Sequence, residues 1–588
     1  MKPSKILYLT KKAIYFAWYR HHFLIPPRVM YKYVKSFLTA AKRGNTTSNL
    51  MLDQNAYAKW FEEHMKPLSS HKNFKYNPKF SFIVPSFNPE EKVFEECIDS
   101  LLNQSYKNFE IVICDDASDN IDYLNKYLKN DKVNIVYRKE NGMISRSSND
   151  AIDTSTGDFI VLVDNDDAIH VDSLYYFAEV LNKDKDVDLI YSDEDKLDYR
   201  GKLMEPHFKP DYSPDTLMSL NYICHLTCIR KSLVDKVGKF RSEFDGSQDY
   251  DLFLRCIEQT DKIFHVPKVL YHWRQTKTST AGFMDNKNYA VVNGKKALED
   301  SLKRRNIKGE VLNSSRVTAY LTKYHHENEL ISIIIPMHDK CELTKQCIDS
   351  LYEKCAYQNF ETIIANNRSQ EQASKDYFKE VVNKHDNIKI VDIDEDFNYS
   401  RINNIAAKHA KGDYLLFLNN DTEVSQPDFL EWMLGYAKQD HVGCVGIKLL
   451  YPNKLVQHCG VVIGFGGAAG HVFVADSYED NGIFGRLALP YNFSAVTAAC
   501  MMIKKSKFEG FDENLKVALN DVDLCLSVMD KGYYNVCLAN VEMIHHESKS
   551  RGYEASKEKH ERFMAEEEYL INKWGKLDKD KFFSEYYF

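Results

Sequence analysis

The chain has 588 residues, 44% hydrophobic and 28% charged, with a net charge of −8. These are ordinary values for a globular protein, they argue against a general nucleic-acid binder, and no stretch reaches the ~18 consecutive apolar residues of a membrane span. The charge is uneven: residues 1–52 hold ten Lys or Arg and no Asp or Glu, which leaves about −18 on the remainder.

Residues 1–78 read as a basic, aromatic extension. Its composition suits an amphipathic segment on an anionic membrane surface, and equally a helix packed on the first domain with its basic face in water. The apolar run Ala13 to Tyr19 is too short to span a membrane and lacks the small-residue cleavage site of a signal peptide. The thirteen cysteines are scattered. Cys224 and Cys228 are the one close pair, with no second pair or His cluster to complete a zinc site, so free thiols in a reducing cytoplasm are expected.

The first domain opens on Phe80-Ser-Phe-Ile-Val-Pro85, an apolar run that predicts a buried parallel strand ending at proline. A helical pattern follows over Glu91 to Asn103. Further strands are expected at Phe109 to Cys114, Val133 to Tyr137 and Phe159 to Val163, with helices between them. The same order returns: Leu330 to Pro336, a helix over Cys341 to Glu353, then Phe360 to Ala365, Ile388 to Val391 and Tyr414 to Leu418. The likeness extends to residues. Cys97-Ile-Asp-Ser-Leu101 recurs as Cys347-Ile-Asp-Ser-Leu351, and Asn108-Phe-Glu110 as Asn359-Phe-Glu361. Ser145-Arg146, Asn149 and Gly157-Asp158 recur as Ser400-Arg401, Asn404 and Gly412-Asp413, at one offset of 255 residues. Two copies of one domain are the reading: an N-terminal extension (1–78), a first domain (79–325) and a second (326–588) with a charged helical tail. Alternating strands and helices imply a doubly wound α/β sheet, whose ligands bind beyond the carboxyl ends of the strands.

Acidic residues fall at those ends. Cys114-Asp115-Asp116-Ala117-Ser118-Asp119 follows the second strand, where helix capping by Asp or Ser, taken alone, explains the residues more readily than ligand binding. Its counterpart is Ala365-Asn366-Asn367-Arg368-Ser369. The stronger cluster is Asp164-Asn165-Asp166-Asp167, matched by Asn419-Asn420-Asp421-Thr422-Glu423. Carboxylates crowded at the mouth of a buried strand repel one another unless a cation lies between them, and hard oxygen ligands favour Mg²⁺ or Mn²⁺. A third site, Gly246-Ser-Gln-Asp249-Tyr-Asp251, matches Asn520-Asp521-Val-Asp523, each opening an amphipathic helix. The last holds Tyr271-His272-Trp273-Arg274 and Ile544-His545-His546, the latter followed by Ser550-Arg551-Gly552; a His near a cation in both copies suits a metal ligand and a phosphate clamp.

With these motifs and with Ser192-Asp-Glu-Asp-Lys196, Lys209-Pro-Asp-Tyr-Ser-Pro214, Phe397-Asn-Tyr-Ser400, Gln457-His-Cys-Gly460 and His545-His-Glu-Ser548, residues 79–555 resemble family 2 glycosyltransferases of GT-A fold. The nearest branch is the tandem-domain, rhamnosyltransferase-like enzymes of bacterial surface-polysaccharide assembly. The resemblance implies inverting transfer of a sugar from a nucleotide-diphosphate donor, dTDP-rhamnose or a UDP-sugar, to a lipid-linked glycan at the cytoplasmic membrane face. It assigns the nucleotide sugar to Pro85, Asp115, Asp116, Asp164 and Arg274, and in the second copy to Asn366, Asn367, Asn420 and Arg551. It assigns Mg²⁺ or Mn²⁺ to Asp164, Asp166 and His272, and to Asp421 and His545. Asp249 and Asp521 become the general bases.

Two departures stand out: Asn419 replaces the first Asp of the metal motif, and Asn366 replaces an expected Asp. They motivate a second reading, in which only the first domain is catalytic and the second binds acceptor or serves as a scaffold. A sugar nucleotidyltransferase would carry a Gly-rich basic loop after the first strand, where this chain has Pro85-Ser-Phe-Asn88.

Overall fold

A computed structural model describes residues 53–198, 200–275, 287–546 and 557–587. They divide into two compact units, one containing 53–212, 220–320 and 586–587, the other 213–219 and 321–585. The basic stretch 1–52 lies outside the described residues. Residues 53–78, expected within an N-terminal extension, belong to the first unit. There Asp53 caps the helix Gln54–His64 by accepting from Asn55 N and Ala56 N, and the helix buries Tyr57 and Trp60.

In the first unit the strands are β1 (Phe80–Ser86), β2 (Phe109–Asp115), β3 (Val133–Tyr137), β4 (Phe159–Leu162), β5 (Ala168–Ile169), β6 (Leu189–Leu197), β7 (Leu203–His207), β8 (Thr227–Arg230) and β9 (Ile263–Arg274). They form one sheet in the order β3-β2-β1-β4-β8-β6-β9-β5, with β7 beside β6. Strands β10 (Gly309–Asn313) and β11 (Tyr320–Tyr324) follow. The second unit contains β12 (Ile331–Met337), β13 (Phe360–Asn367), β14 (Ile388–Ile393), β15 (Tyr414–Leu418), β16 (Thr422–Val424), β17 (Val442–Leu450), β18 (Val456–His458), β19 (Val461–Ile463), β20 (Ala469–His471), β21 (Pro490–Phe493), β22 (Cys500–Lys504) and β23 (Tyr534–His545). Its main sheet runs β14-β13-β12-β15-β22-β17-β23-β16. The two orders are the same, so the repeat is structural.

Each sheet has a parallel half, β3-β2-β1-β4 or β14-β13-β12-β15, made of the strands expected from sequence. Their uninterrupted apolar runs reflect burial on both faces. The other half is mixed, because β8 and β22 run antiparallel to both neighbours. One expected helix differs. Between β2 and β3 the first copy makes only a 3₁₀ turn, Asp122–Tyr127, where the second has the α-helix Gln372–Lys384.

The repeated residues are fasteners. Ser81 Oγ donates to Glu110 at 2.7 Å and accepts from Gly157 N at 2.9 Å; Ser332 Oγ donates to Glu361 at 2.6 Å and accepts from Gly412 N at 2.9 Å. Asn149 and Asn404 each exchange two hydrogen bonds with a phenylalanine backbone, Phe240 and Phe511, ahead of the helix that opens with Asp249 or Asp521. All thirteen cysteines are free thiols, and all but Cys224 are buried.

Candidate active site

The turn after β4 is held by repeated side chains. Cys97 Sγ meets Asp164 O at 3.5 Å, and Ser100 Oγ accepts from Ile169 N at 3.2 Å. In the second copy Cys347 and Ser350 do the same for Asn419 O, at 3.7 Å, and Val424 N, at 3.1 Å. Asp167 is fully buried and accepts from the Tyr271 hydroxyl and from Arg274 N. Arg274 Nε donates to Asp166 O at 2.8 Å, and its guanidinium pairs with Glu96, also at 2.8 Å. Asp167 thus ties the acidic turn to the end of β9. By contrast, Asp164 and Asp166 accept no hydrogen bond from another side chain among the described residues. Burial and then the Asp164 charge push the Asp166 carboxyl up to about 6, as expected of like charges facing one opening.

This donor set fits a divalent cation. Mg²⁺ commonly takes one or two carboxylates and completes its shell with water and substrate phosphates. Asp164 and Asp166 would hold it, and when bound it would neutralise charge on a diphosphate. Among the described residues no three His, Cys, Asp or Glu side chains gather into a complete protein cage.

Asp249 stands in the first turn of the helix Gln248–Ile257. Asn221 Nδ2 donates to its Oδ2 at 3.0 Å. Burial raises its carboxyl above the usual range, and the charges of His225 and Asp164 both act on it. Asp164, His225 and Asp249 therefore share one neighbourhood, and Arg274 adjoins it through the Asp166 carbonyl.

His225, which sequence reading passes over, is the imidazole in that neighbourhood. Its ring stacks on Tyr271 at 4.5 Å, with Nε2 3.8 Å from Asp164 Oδ2 and Nδ1 3.4 Å from Glu194 Oε2. Burial opposes its charge, but Glu194 and Asp164 outweigh burial and raise its pKa to about 9. Buried Lys209 fixes the segment, donating through Nζ to the carbonyls of Ile223 and His225 and lying 3.3 Å from Glu194. The motifs around Glu194 and Lys209 were visible in sequence; their meeting at His225 was not.

His272, expected as a metal ligand with Asp164 and Asp166, is placed differently. Its Nδ1 lies 2.6 Å from Asp195, which also accepts from Tyr57 at 2.6 Å. Successive side chains of a strand face opposite ways, so His272 leaves β9 on the face away from Tyr271 and His225. The expected equivalence of His272 and His545 is also corrected. Ala168 lies opposite His272, but Glu423, its counterpart at the shared offset, lies opposite Ile544. A second register agrees: Asp195 pairs with His272, and Leu450 with Ile544. By position His545 matches Trp273.

In the second copy His545 does face the acidic turn. Its Nε2 is 3.0 Å from Asp421 Oδ1 and 3.4 Å from Asn419 Nδ2, while Nδ1 is 2.8 Å from Gln457 Oε1. Asp421 and His545 are both nearly buried. Asn420 Nδ2 donates to Thr344 Oγ1 at 3.1 Å, and Asn165 likewise to Ser86 Oγ at 3.2 Å. Asp521 opens its helix and accepts from Ala498 N at 3.1 Å, and Ala499 O accepts from Asn419 N at 3.0 Å. One short segment thus touches the acidic turn and Asp521. Arg551 lies outside the described residues.

At the end of β2, Asp115 accepts from Tyr123 at 2.7 Å and from Ser118 N at 3.1 Å. Asp116 accepts from Gly142 N at 2.9 Å and pairs with Arg138 at 2.8 Å. The chain Asn165–Ser86–Tyr123–Asp115 links this loop to the acidic turn. Pro85 sits beside it on β1, opposite Cys114. In the second copy Asn366 keeps the turn bond, accepting from Ser369 N at 3.1 Å, and donates to Asp392 at 2.7 Å. Asn367 donates to Glu395 O at 2.8 Å.

The family model for glycosyl transferase family 2 matches residues 81–238 and, separately, 332–511. An uncharacterised protein of Sinorhizobium fredii, y4gI, is 40% identical over 513 residues, 85% of this chain and 56% of its own. The O-antigen biosynthesis protein RfbC of Myxococcus xanthus is 34% identical over 490 residues, 81% of this chain and 38% of its own. The chain thus spans about half the length, or less, of these relatives. Among solved structures, Staphylococcus aureus TarS 1–349 in complex with UDP-GlcNAc is 20% identical, covers 39% of this chain and 72% of its own, and superposes at a TM-score of 0.31. The mannosyltransferase PcManGT from Pyrobaculum calidifontis, in complex with GDP-Man and Mn²⁺, is 14% identical over 50% of this chain and 75% of its own, at 0.33.

Proposed function

The chain belongs to glycosyl transferase family 2, and on that premise we propose that it catalyses two inverting sugar transfers, one per domain, from nucleotide-diphosphate donors to a lipid-linked bacterial polysaccharide. The observation that carries this reading is a repeated arrangement: a carboxylate after one strand, Asp166 or Asp421, and an aspartate in the first turn of one helix, Asp249 or Asp521, with the Asp164 charge acting on Asp249 and the 498–499 segment bonded both to Asn419 N and to Asp521. The relationship to an O-antigen biosynthesis protein supports the acceptor class. No helix among the described residues is long and apolar enough to cross a membrane; the basic residues 1–52 would draw the enzyme to an anionic cytoplasmic membrane face.

In each transfer the acceptor hydroxyl oxygen attacks the anomeric carbon. The new C–O bond forms as the bond to the diphosphate oxygen breaks, and that electron pair leaves with the nucleoside diphosphate. Asp249, or Asp521, takes the hydroxyl proton. Burial makes the Asp249 carboxylate a stronger base than one in water, and Asn221 orients it. Arg274 presents a cation fixed by Glu96 and the Asp166 carbonyl toward the departing anion. Asp164 and Asp166, and in the second site Asp421 with His545, would hold Mg²⁺ or Mn²⁺. Asp115, Asp116, Asn366 and Asn367 order the loops that would receive the nucleotide.

The test supplies purified protein with Mn²⁺, a panel of nucleotide sugars and a lipid-linked acceptor, and reads released diphosphate and product linkages. Asp249→Asn and Asp521→Asn should remove different linkages, and both linkages surviving in the double variant would overturn the proposal. The second reading, catalysis in the first domain alone, draws support from Asn419 standing where Asp164 does. It predicts an unchanged product from Asp521→Asn.

A further inference from the structure

The helix Lys557–Trp574 carries no motif, yet one face of it is built against the segment that delivers Asp521. Glu566 is 5% exposed. Its carboxylate accepts from three consecutive backbone groups, Lys516 N at 3.0 Å, Val517 N at 3.2 Å and Ala518 N at 2.8 Å. No backbone carbonyl among the described residues accepts from these three groups. Successive N–H groups converging on an anion form a nest, and bonds to an ionised acceptor are the strong kind. Directly after this nest, Leu519 adopts a left-handed conformation, φ 61°, and the helix bearing Asp521 begins.

The same helix face reaches the other side of Asp521. Trp574 Nε1 donates to Asp523 at 2.7 Å, and Lys573 Nζ to the same carboxylate at 2.9 Å. Tyr569 and Lys573 both donate to Asp512, at 3.0 and 2.8 Å. Residues 566, 569 and 573 share a face by helical spacing, and fully buried Leu570 lies on it. Asp521 is bracketed by anchors at 516–518 and at 523. The first unit braces its own base in the same place with different chemistry. From the helix Lys287–Arg304, Asn293 donates to Asp245 O and the Ala290 carbonyl accepts from Ser247 Oγ, both at 2.8 Å.

We propose that Glu566 is a positioning residue for the second transfer, fixing through the 516–518 nest where Asp521 meets the acceptor hydroxyl. The inference rests on the reading that the second domain is catalytic. A base displaced by about 1 Å can lose up to a hundredfold in rate, while the donor pocket at the acidic turn is untouched. Glu566→Ala should therefore lower kcat for the Asp521-dependent linkage by about ten- to a hundredfold, with KM for the nucleotide sugar within about twofold and the Asp249-dependent linkage unchanged in the same molecule. Glu566→Gln, which keeps one amide oxygen as acceptor, should restore a large part of that rate. If the Ala variant fails to fold in a thermal melt, Trp574→Phe removes one bond to Asp523 and should show the same kcat-only loss in milder form. An unchanged kcat in a folded variant, or a rise in KM matching the fall in kcat, overturns the inference. If Asp521→Asn leaves the second linkage intact, the two-transfer reading falls and this inference with it. If Asp521→Asn abolishes that linkage while Glu566→Ala leaves it at full rate, only the inference falls.

Discussion

His545 Nε2 lies 3.0 Å from Asp421 Oδ1, whereas His272, its apparent sequence partner, lies on the reverse face of its strand with Asp195. The two histidines should answer mutation differently. His272→Ala strips a hydrogen-bond partner from buried Asp195 and is expected to cost about 1–3 kcal/mol of stability, read in chemical denaturation, with little change in KM for donors. His545→Ala should weaken Mn²⁺ or diphosphate binding at the second site, measured calorimetrically, and leave the first linkage intact.

His225 supplies the imidazole of the first site. Replacing it with Ala should lower turnover of the Asp249-dependent linkage at least tenfold, because Asp164 and Asp249 lose the charged neighbour that acts on both. Linkage analysis of the product is the readout, with the second linkage as internal control. An unchanged first linkage would remove His225 from the site.

Asn366 looked in sequence like a lost carboxylate. The structure explains it, for its amide donates to Asp392 at 2.7 Å, whereas the equivalent Asp115 accepts from Tyr123 instead. Asn366→Asp would set two carboxylates against each other and should destabilise the second domain at neutral pH, with partial recovery in acid as one of them protonates. A melting temperature that rises or stays level at pH 7 would refute this account.

Gly157 and Gly412 have no room for a side chain. A Cβ at Gly157 would lie 2.5 Å from Ser81 Oγ and 2.8 Å from Lys79 O; at Gly412 it would lie 2.5 Å from Leu330 O. Alanine at either position should cost about 1–3 kcal/mol from overpacking, seen as a lower denaturation midpoint.

Glu110 is buried, which by itself would raise its pKa. Hydrogen bonds from Ser81, Thr156 and Lys79 outweigh burial and hold it below its usual value. A carboxyl lowered by folding adds stability that is fully present above its unfolded pKa and lost as pH falls through the folded one. Wild-type protein should therefore lose stability below about pH 4.5 more steeply than Glu110→Gln, and parallel curves would refute the assignment.

Much of this was legible in the chain. Cys97, Ser100, Asn149 and Gly157 recur because each fastens the same joint in both copies, so their repetition reported two domains before any fold was known. The apolar runs fixed the parallel strands, since burial on both faces leaves no polar alternation to misread. Asp164, Asp166 and Asp421 were expected at strand mouths and are found there.

What tertiary structure alone decided is which way side chains face and what they meet across the chain. Along a strand one residue of register exchanges the two faces, so matching histidine-bearing motifs could not reveal that His545 looks into the site and His272 away from it. Glu194, Lys209 and His225, or Glu566 and the 516–518 nest, are brought together by folding from positions with no shared period or motif. Local periodicity encodes elements; the pairing of distant polar groups is set by packing, which a linear pattern does not record.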